Sequence, residues 1–219
     1  MSASAVSLHT APLSAQLRER TREAHEQAET RPFVTDLMHG RLSRAAYADL
    51  AAQQYGLYVA LEAASAELAG SGRGAGLVFA DLTRTPSIEA DLTYLYGPRW
   101  RDRIEVLPVA VQYAERIAQV SGDLPRYAAH AYTRYLGDLS GGQAIKRLVQ
   151  RHYGLGEEGV AFYTFTGIAK PKLFKDEYRG QLDALDLGPL ECETAVAEAT
   201  LAFELSAALF TALGERHTA

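Results

Sequence analysis

Proline and glycine fall at the starts and stops of helical patterns from one end of this chain to the other, and that punctuation narrows the fold before any motif is considered. Leu13, Leu17, Thr21, Ala24 and Ala28 form a stripe at helical spacing, and the helix that carries it should end before Pro32. A short helix with Phe33, Val34 and Leu37 stops at Gly40. Ser43 is placed to cap a long helix to about Ala69, which the glycine-rich "GSGRGAG" then ends. Thr85 and Pro86 read as an N-cap with proline at the first helical position, and Gly97 closes that helix. Further helices are expected from Pro108 to Gly122, from Pro125 to about Tyr153, from Pro171 to Leu185 and from Pro189 to Leu213. "VAFYTF" (160 to 165) has strand character, but a lone strand has no partner, so it reads as a turn of helix or a loop. No repeat, low-complexity segment or long polar linker interrupts the pattern. The expectation is one all-α domain of seven to nine helices over residues 12–213. A flexible tail of residues 1–11 precedes it and a short one of residues 214–219 follows.

Composition excludes several function classes. With 47% hydrophobic residues the 219-residue chain can bury a real core. A net charge of -5 argues against a nucleic-acid-binding surface. Cys192 is the single cysteine, so no internal disulfide forms, which fits a reducing compartment. The start "MSASAVSLHTAPLS" lacks the basic end and long apolar run of a signal peptide. No run of 18 uninterrupted apolar residues occurs, so no membrane span is expected and the cytoplasm is the simplest location.

One helix is interrupted oddly. In "HAYTRYLGDLSGGQAIKRL" (130 to 148) Gly137, Gly141 and Gly142 fall within six residues, and Asp138 lies among apolar neighbours. Each glycine costs a helix roughly 1 kcal/mol relative to alanine. On a regular helix Asp138 shares a face with Tyr127, Ala131, Arg134, Ile145 and Val149, flanked by Gly141 and Gly142. Glycines there let the backbone approach a flat ligand, or permit a kink. They also permit plain close helix packing, and Arg134 with Asp138 reads equally as an i,i+4 ion pair. A buried carboxylate would need Arg134, a water or a tyrosine hydroxyl as partner.

A second constellation lies on the first helix. Arg18, Arg22, His25 and Glu29 fall on one face. A histidine there could ligate a heme iron while Glu29 orients the imidazole through its other nitrogen, and Arg18 and Arg22 could pair with anionic groups of the same ligand. Ordinary i,i+4 charge pairs are the commoner meaning of such a face. The other histidines are His9, His39, His130, His152 and His217, and none sits in a zinc pattern. Periodicity does not choose between His25 and His130 as a ligand. Lys172, Lys175 and Arg179 form a basic stripe that suits an acidic ligand or partner, or simply a solvated face. Phe203 and Phe210, seven apart, read as core positions.

The long run "HAYTRYLGDLSGGQ" resembles the heme oxygenase family. So do "TREAHEQAE", "YVALE", "YLYGPRW", "FKDEYR" and "TLAFELSAALF", in order and spacing across roughly residues 12 to 213. The resemblance implies a single multi-helical domain with heme b sandwiched between a proximal and a distal helix. It implies His25 as iron ligand, with Glu29 as its partner. Gly137 and Gly141 would lie over the heme with Gly142 beside them, and Asp138 would organise distal water with Arg134 and Tyr58. Arg18, Arg22, Tyr132, Lys175 and Arg179 would meet the propionates, and Phe203 and Phe210 would contact the heme. Arg18 departs from the lysine of many relatives, so its reach differs. The implied reaction opens heme to biliverdin with release of CO and ferrous iron. It uses O2 and electrons from a donor such as ferredoxin or a flavoprotein reductase, in a chain expected to be monomeric, without a membrane anchor and free of nucleic acid. A carrier or sensor on the same scaffold is the alternative. A heme-free thiaminase-like enzyme would need its own nucleophile, and Cys192 in acidic "LECETA" is a poor one. A purely structural helical domain is the remaining non-enzymatic reading.

Overall fold

The computed structural model describes residues 11–72 and 74–217. His9, Arg73 and nearly all of the expected N-terminal tail lie outside the described residues. Among those described there are ten α-helices and no strand. They are α1 (Leu13–Arg20), α2 (Arg22–Glu29), α3 (Pro32–Met38), α4 (Arg44–Ser71), α5 (Thr85–Tyr96), α6 (Pro108–Gln119), α7 (Leu124–Ala131), α8 (Gly141–Tyr153), α9 (Pro171–Asp183) and α10 (Pro189–His217).

The two helices beyond the eight placed from the sequence come from two breaks. The first helix divides at Thr21, whose φ and ψ are -101° and 4°. Its hydroxyl donates to the Leu17 carbonyl at 2.6 Å, a back-bond that loosens a helix at that point. The helix expected from Pro125 to Tyr153 is broken more deeply. A π turn (Tyr132–Leu136) follows α7, Gly137 and Asp138 stay helical, and Leu139 and Ser140 then turn the chain before α8 begins. Other punctuation reads as expected. Ser43 Oγ accepts from Ala46 N at 3.2 Å, and Gly72 and Gly154 end α4 and α8 in the left-handed conformation that glycine adopts freely.

Thr85 is not the cap of α5. It is the first helical residue, and Arg84 stands at the N-cap. The cap comes from a distant helix: Glu62 Oε1 accepts from Arg84 N at 2.5 Å and from Thr85 N at 2.9 Å. Nothing local in the sequence signals this. α10 likewise continues past Leu213 to His217, because Asp49 holds its end. Arg216 Nη1 lies 3.1 Å and His217 Nε2 2.8 Å from Asp49 Oδ2.

Two long helices organise the core. α4 packs against α5, α6 and α7, and α10 packs against α1, α2, α3, α6 and α7. α10 is apolar and long enough to cross a membrane by composition, yet half of that stretch is buried within the bundle. Trp100, Tyr47, Tyr58, Tyr113, Tyr127 and Tyr178 are among the largest side chains that are fully buried, and aromatic groups of this size carry much of the apolar burial.

One buried charge ties α10 to α6 and α7. Glu198, 4% exposed, accepts from Arg116 Nε at 2.8 Å and Nη2 at 2.6 Å, and lies 2.9 Å from His130 Nε2. Burial works against the carboxylate, but Arg116 and His130 together outweigh it and hold its pKa at about 2, against 4.5 normally. A depressed carboxylate pKa stabilises the fold above the unfolded value, and that contribution disappears as pH falls from about 4.5 towards 2. Glu198→Gln is therefore expected to lose about 3 kcal/mol at neutral pH. In urea unfolding at several pH values, the gap from wild type should close below pH 4.5; a gap independent of pH would contradict the assignment.

Candidate functional site

The break in the distal helix faces α2 across a cleft. The cleft consists of two adjoining hollows of about 390 Å3 and 420 Å3 that share His25, Glu29, Thr133, Gly137, Gly141 and Phe203 in their walls. Their size falls within the ~300–1000 Å3 range usual for small-molecule sites. The outer hollow is polar and cationic, with Arg18, Arg22, Arg179, Tyr132 and Ser140 around it. The inner one is mainly apolar, walled by Val34, Leu37, Met38, Leu50, Ile145, Phe162 and Phe210, with Arg134 and Asp138 on one side.

His25 and His130 separate cleanly. His130 has no exposed surface and is paired with Glu198 away from the cleft. His25 borders both hollows, and Glu29 Oε1 lies 3.1 Å from its Nε2. The Glu29 hydrogen bond raises the His25 pKa and, reciprocally, His25 lowers that of Glu29. Phe203 packs against the imidazole with ring centroids 5.0 Å apart. Phe203 is thus not a core residue, whereas Phe210 also packs against the core. Both are only partly buried because they wall the cleft.

The glycines differ in what they do. A Cβ on Gly137 would meet nothing within 4 Å, and one on Gly141 would meet only Glu29 Oε1 at 3.8 Å. Those two glycines open a slot between the distal backbone and α2. Gly142 instead makes room for protein, since its Cβ would lie 3.1 Å from the Tyr163 ring.

Asp138 finds its partner in Tyr58, whose hydroxyl donates to Asp138 Oδ2 in a short contact. Arg134 does not form the simple i,i+4 pair. Its Nη2 donates to Gln54 Oε1, and its guanidinium lies 5.1 Å from the centre of the Tyr58 ring. Burial pushes the Asp138 pKa up to about 6, while Arg134, the Tyr58 hydrogen bond and Arg84 pull the other way. Tyr58 is fully buried and reaches the cleft only through Asp138.

At the mouth, Lys175 Nζ donates to Ser140 Oγ at 2.8 Å, bridging α9 to the distal turn. Arg179 pairs with Asp176 at 2.9 Å and borders the outer hollow. Arg18 is largely exposed there, with Glu19 3.7 Å away. Sequence reasoning missed Ser140, Thr133, Gln54, Phe162 and Tyr163. Thr133 and Ser140 lie inside the run "HAYTRYLGDLSGGQ" but were not singled out within it, Gln54 carries no motif signal, and the last two lie in "VAFYTF", a 3-10 turn (Ala161–Tyr163) that folds back over Tyr58.

Such a cleft suits a flat, largely apolar ligand with anionic groups at one edge and a group that a histidine can hold. The family model described as heme oxygenase matches residues 11–212. The chain belongs to the heme oxygenase family. Heme oxygenase 1 of Homo sapiens is 39% identical over 207 residues, which is 93% of this chain and 72% of that protein. Heme oxygenase 1 of Synechocystis is 36% identical over 202 residues, 92% of this chain and 84% of that protein. The crystal structure of the Synechocystis protein in complex with heme superposes with a TM-score of 0.89 at 35% identity, covering 94% of each chain.

The glycines make opposite predictions. Gly137 has helical φ and ψ of -61° and -50° and empty space beside it. Gly137→Ala should therefore raise stability by roughly 0.5–1 kcal/mol. Gly142→Ala presses on Tyr163 and should cost roughly 1–3 kcal/mol. Urea unfolding of the two variants decides, and a destabilised Gly137→Ala would mean that its face is filled.

Proposed function

We infer that this chain is a heme oxygenase that opens heme b to biliverdin, releasing CO and ferrous iron. The observation that carries the reading is the slot itself: two glycine faces open towards His25 across the cleft, with a buried carboxylate beside them. Heme fits its chemistry. The apolar macrocycle suits the inner hollow, and the two propionates suit Arg18, Arg22, Arg179, Lys175 and the Tyr132 hydroxyl at the outer one.

When bound, heme supplies the iron at which O2 is reduced and the meso carbon that becomes oxidised. His25 holds the iron through one imidazole nitrogen, and Glu29, already on the ring, fixes its orientation and strengthens it as a donor. As an iron ligand, the His25 imidazole would donate less charge than a thiolate, which would favour oxidation of the macrocycle itself. Gly137 and Gly141 place no side chain over the reacting face. Asp138 acts at one remove. With Oδ2 engaged by Tyr58, its Oδ1 remains to accept from a water, which would supply the proton to the bound substrate. Arg134 and Tyr58 keep the carboxylate ionised and aimed.

Electrons come from a separate donor. The cations of α9 beside the cleft mouth, with exposed Lys172 and neighbouring Lys170, suit an acidic ferredoxin or flavoprotein. A monomer in the cytoplasm accords with the single cysteine.

The test follows heme spectroscopically in three proteins. His25→Ala should bind heme weakly with an altered Soret band, which added imidazole restores. Asp138→Ala should bind heme normally but lower biliverdin yield by roughly 100-fold. Full yield from Asp138→Ala, or an unchanged Soret band in His25→Ala, would overturn the corresponding assignment.

A further inference from the structure

Two buried charges outside the cleft converge on one short segment of backbone. Asp91, 1% exposed on α5, accepts from Ala161 N through Oδ1 and from Phe162 N through Oδ2, each at 2.8 Å. Arg84, 5% exposed, donates through Nη1 to the carbonyls of Phe162 at 3.2 Å and Thr164 at 2.8 Å. Its remaining donors go to its own loop, Nε to Leu82 O and Nη2 to Asp81 O, both at 3.2 Å. The guanidinium also lies 3.9 Å from the centre of the Phe165 ring. Behind it, Glu62 grips the Arg84 backbone.

Burying an aspartate and an arginine costs several kcal/mol unless each is well bonded. Here both are spent on a segment that belongs to no long helix and to no sheet, so its buried N–H and C=O groups have few other partners. That segment carries two walls of the inner hollow. Phe162 packs edge-on against Tyr58, with centroids 5.1 Å apart, and Tyr163 occupies the space left by Gly142. Tyr58 in turn donates to Asp138. A continuous chain of contacts therefore runs from the two charges to the distal acid.

We propose that Arg84 and Asp91 are positioning residues: a charged clamp on residues 160–165 that seats Phe162 and Tyr163 as the back wall of the cleft and so holds the Tyr58 hydroxyl on Asp138. The proposal rests on the heme oxygenase reading only for what the wall encloses. The clamp itself is a property of the heme-free chain, so it can fail while that reading stands.

The test uses the full-length, heme-free protein with Asp91→Asn, Arg84→Lys and Arg84→Met. Asparagine keeps the shape and one acceptor; lysine keeps the charge without the fork; methionine keeps neither. Amide hydrogen exchange of residues 161–165 should quicken about tenfold in all three, while the amides of α4 and α10 stay as in wild type. The carboxyl 13C titration midpoint of Asp138 should rise in all three, because the Tyr58 hydrogen bond that favours its ionised form loosens with the wall. Unchanged exchange at 161–165, or equal acceleration throughout α4 and α10, overturns the clamp. Faster exchange at 161–165 with an unchanged Asp138 midpoint overturns the link from the clamp to the distal acid. If the methionine variant does not fold, Asp91→Asn and Arg84→Lys still decide the clamp.

Discussion

Everything at the site depends on the interruption of the distal helix between Tyr132 and Ser140. A π turn inserts one extra residue into the helical count, and the glycines that follow let the chain turn without filling the space beside it. A straight helix through this stretch would keep Asp138 in fixed register with Arg134 and leave no slot opposite His25. The break instead sends Arg134 to Gln54, gives Asp138 to Tyr58 and turns two bare glycine faces towards α2. The lost helical hydrogen bonds and the glycine entropy are a local cost that the surrounding bundle must cover.

The same chemical pair appears twice with opposite consequences. His130 and Glu198 are buried together, with Arg116 completing the network, and they join three helices. His25 and Glu29 form a similar pair on the wall of the cleft, half exposed, where the imidazole stays accessible to a ligand. Environment, rather than residue type, separates the buried pair from the one that faces the cleft. A buried imidazole whose nitrogen is taken by a carboxylate has little to offer a ligand; one on an open wall does.

Much of this was legible in the sequence where the signal is local. Ser43, Gly72 and Gly154 bound their helices as read, because caps and left-handed glycines act within one turn. The face shared by Arg18, Arg22, His25 and Glu29 also survives the bend at Thr21, since that bend displaces the stripe without scattering it. What failed was whatever depended on distant partners or on an uninterrupted period. Counting at 3.6 residues per turn carried Arg134 and Asp138 through a stretch that is not an α-helix. Thr85 was misplaced because its helix is capped from Glu62, far along the chain. Phe203 read as core because a stripe facing a cleft looks like one facing protein, while Phe210 faces both. Arg84 and Asp91 carried no signal, since a lone charge in a sequence does not announce its burial.

If the slot between His25 and the glycine faces both binds heme and directs its oxidation, a simple spectroscopic experiment shows it. The wild-type protein is titrated with hemin, a reductant is added under air in the presence of catalase, and the visible spectrum is followed. The expected result is a Soret band that then decays as the absorption of biliverdin grows. A Soret band that persists under those conditions would contradict it and leave a scaffold that holds heme without consuming it.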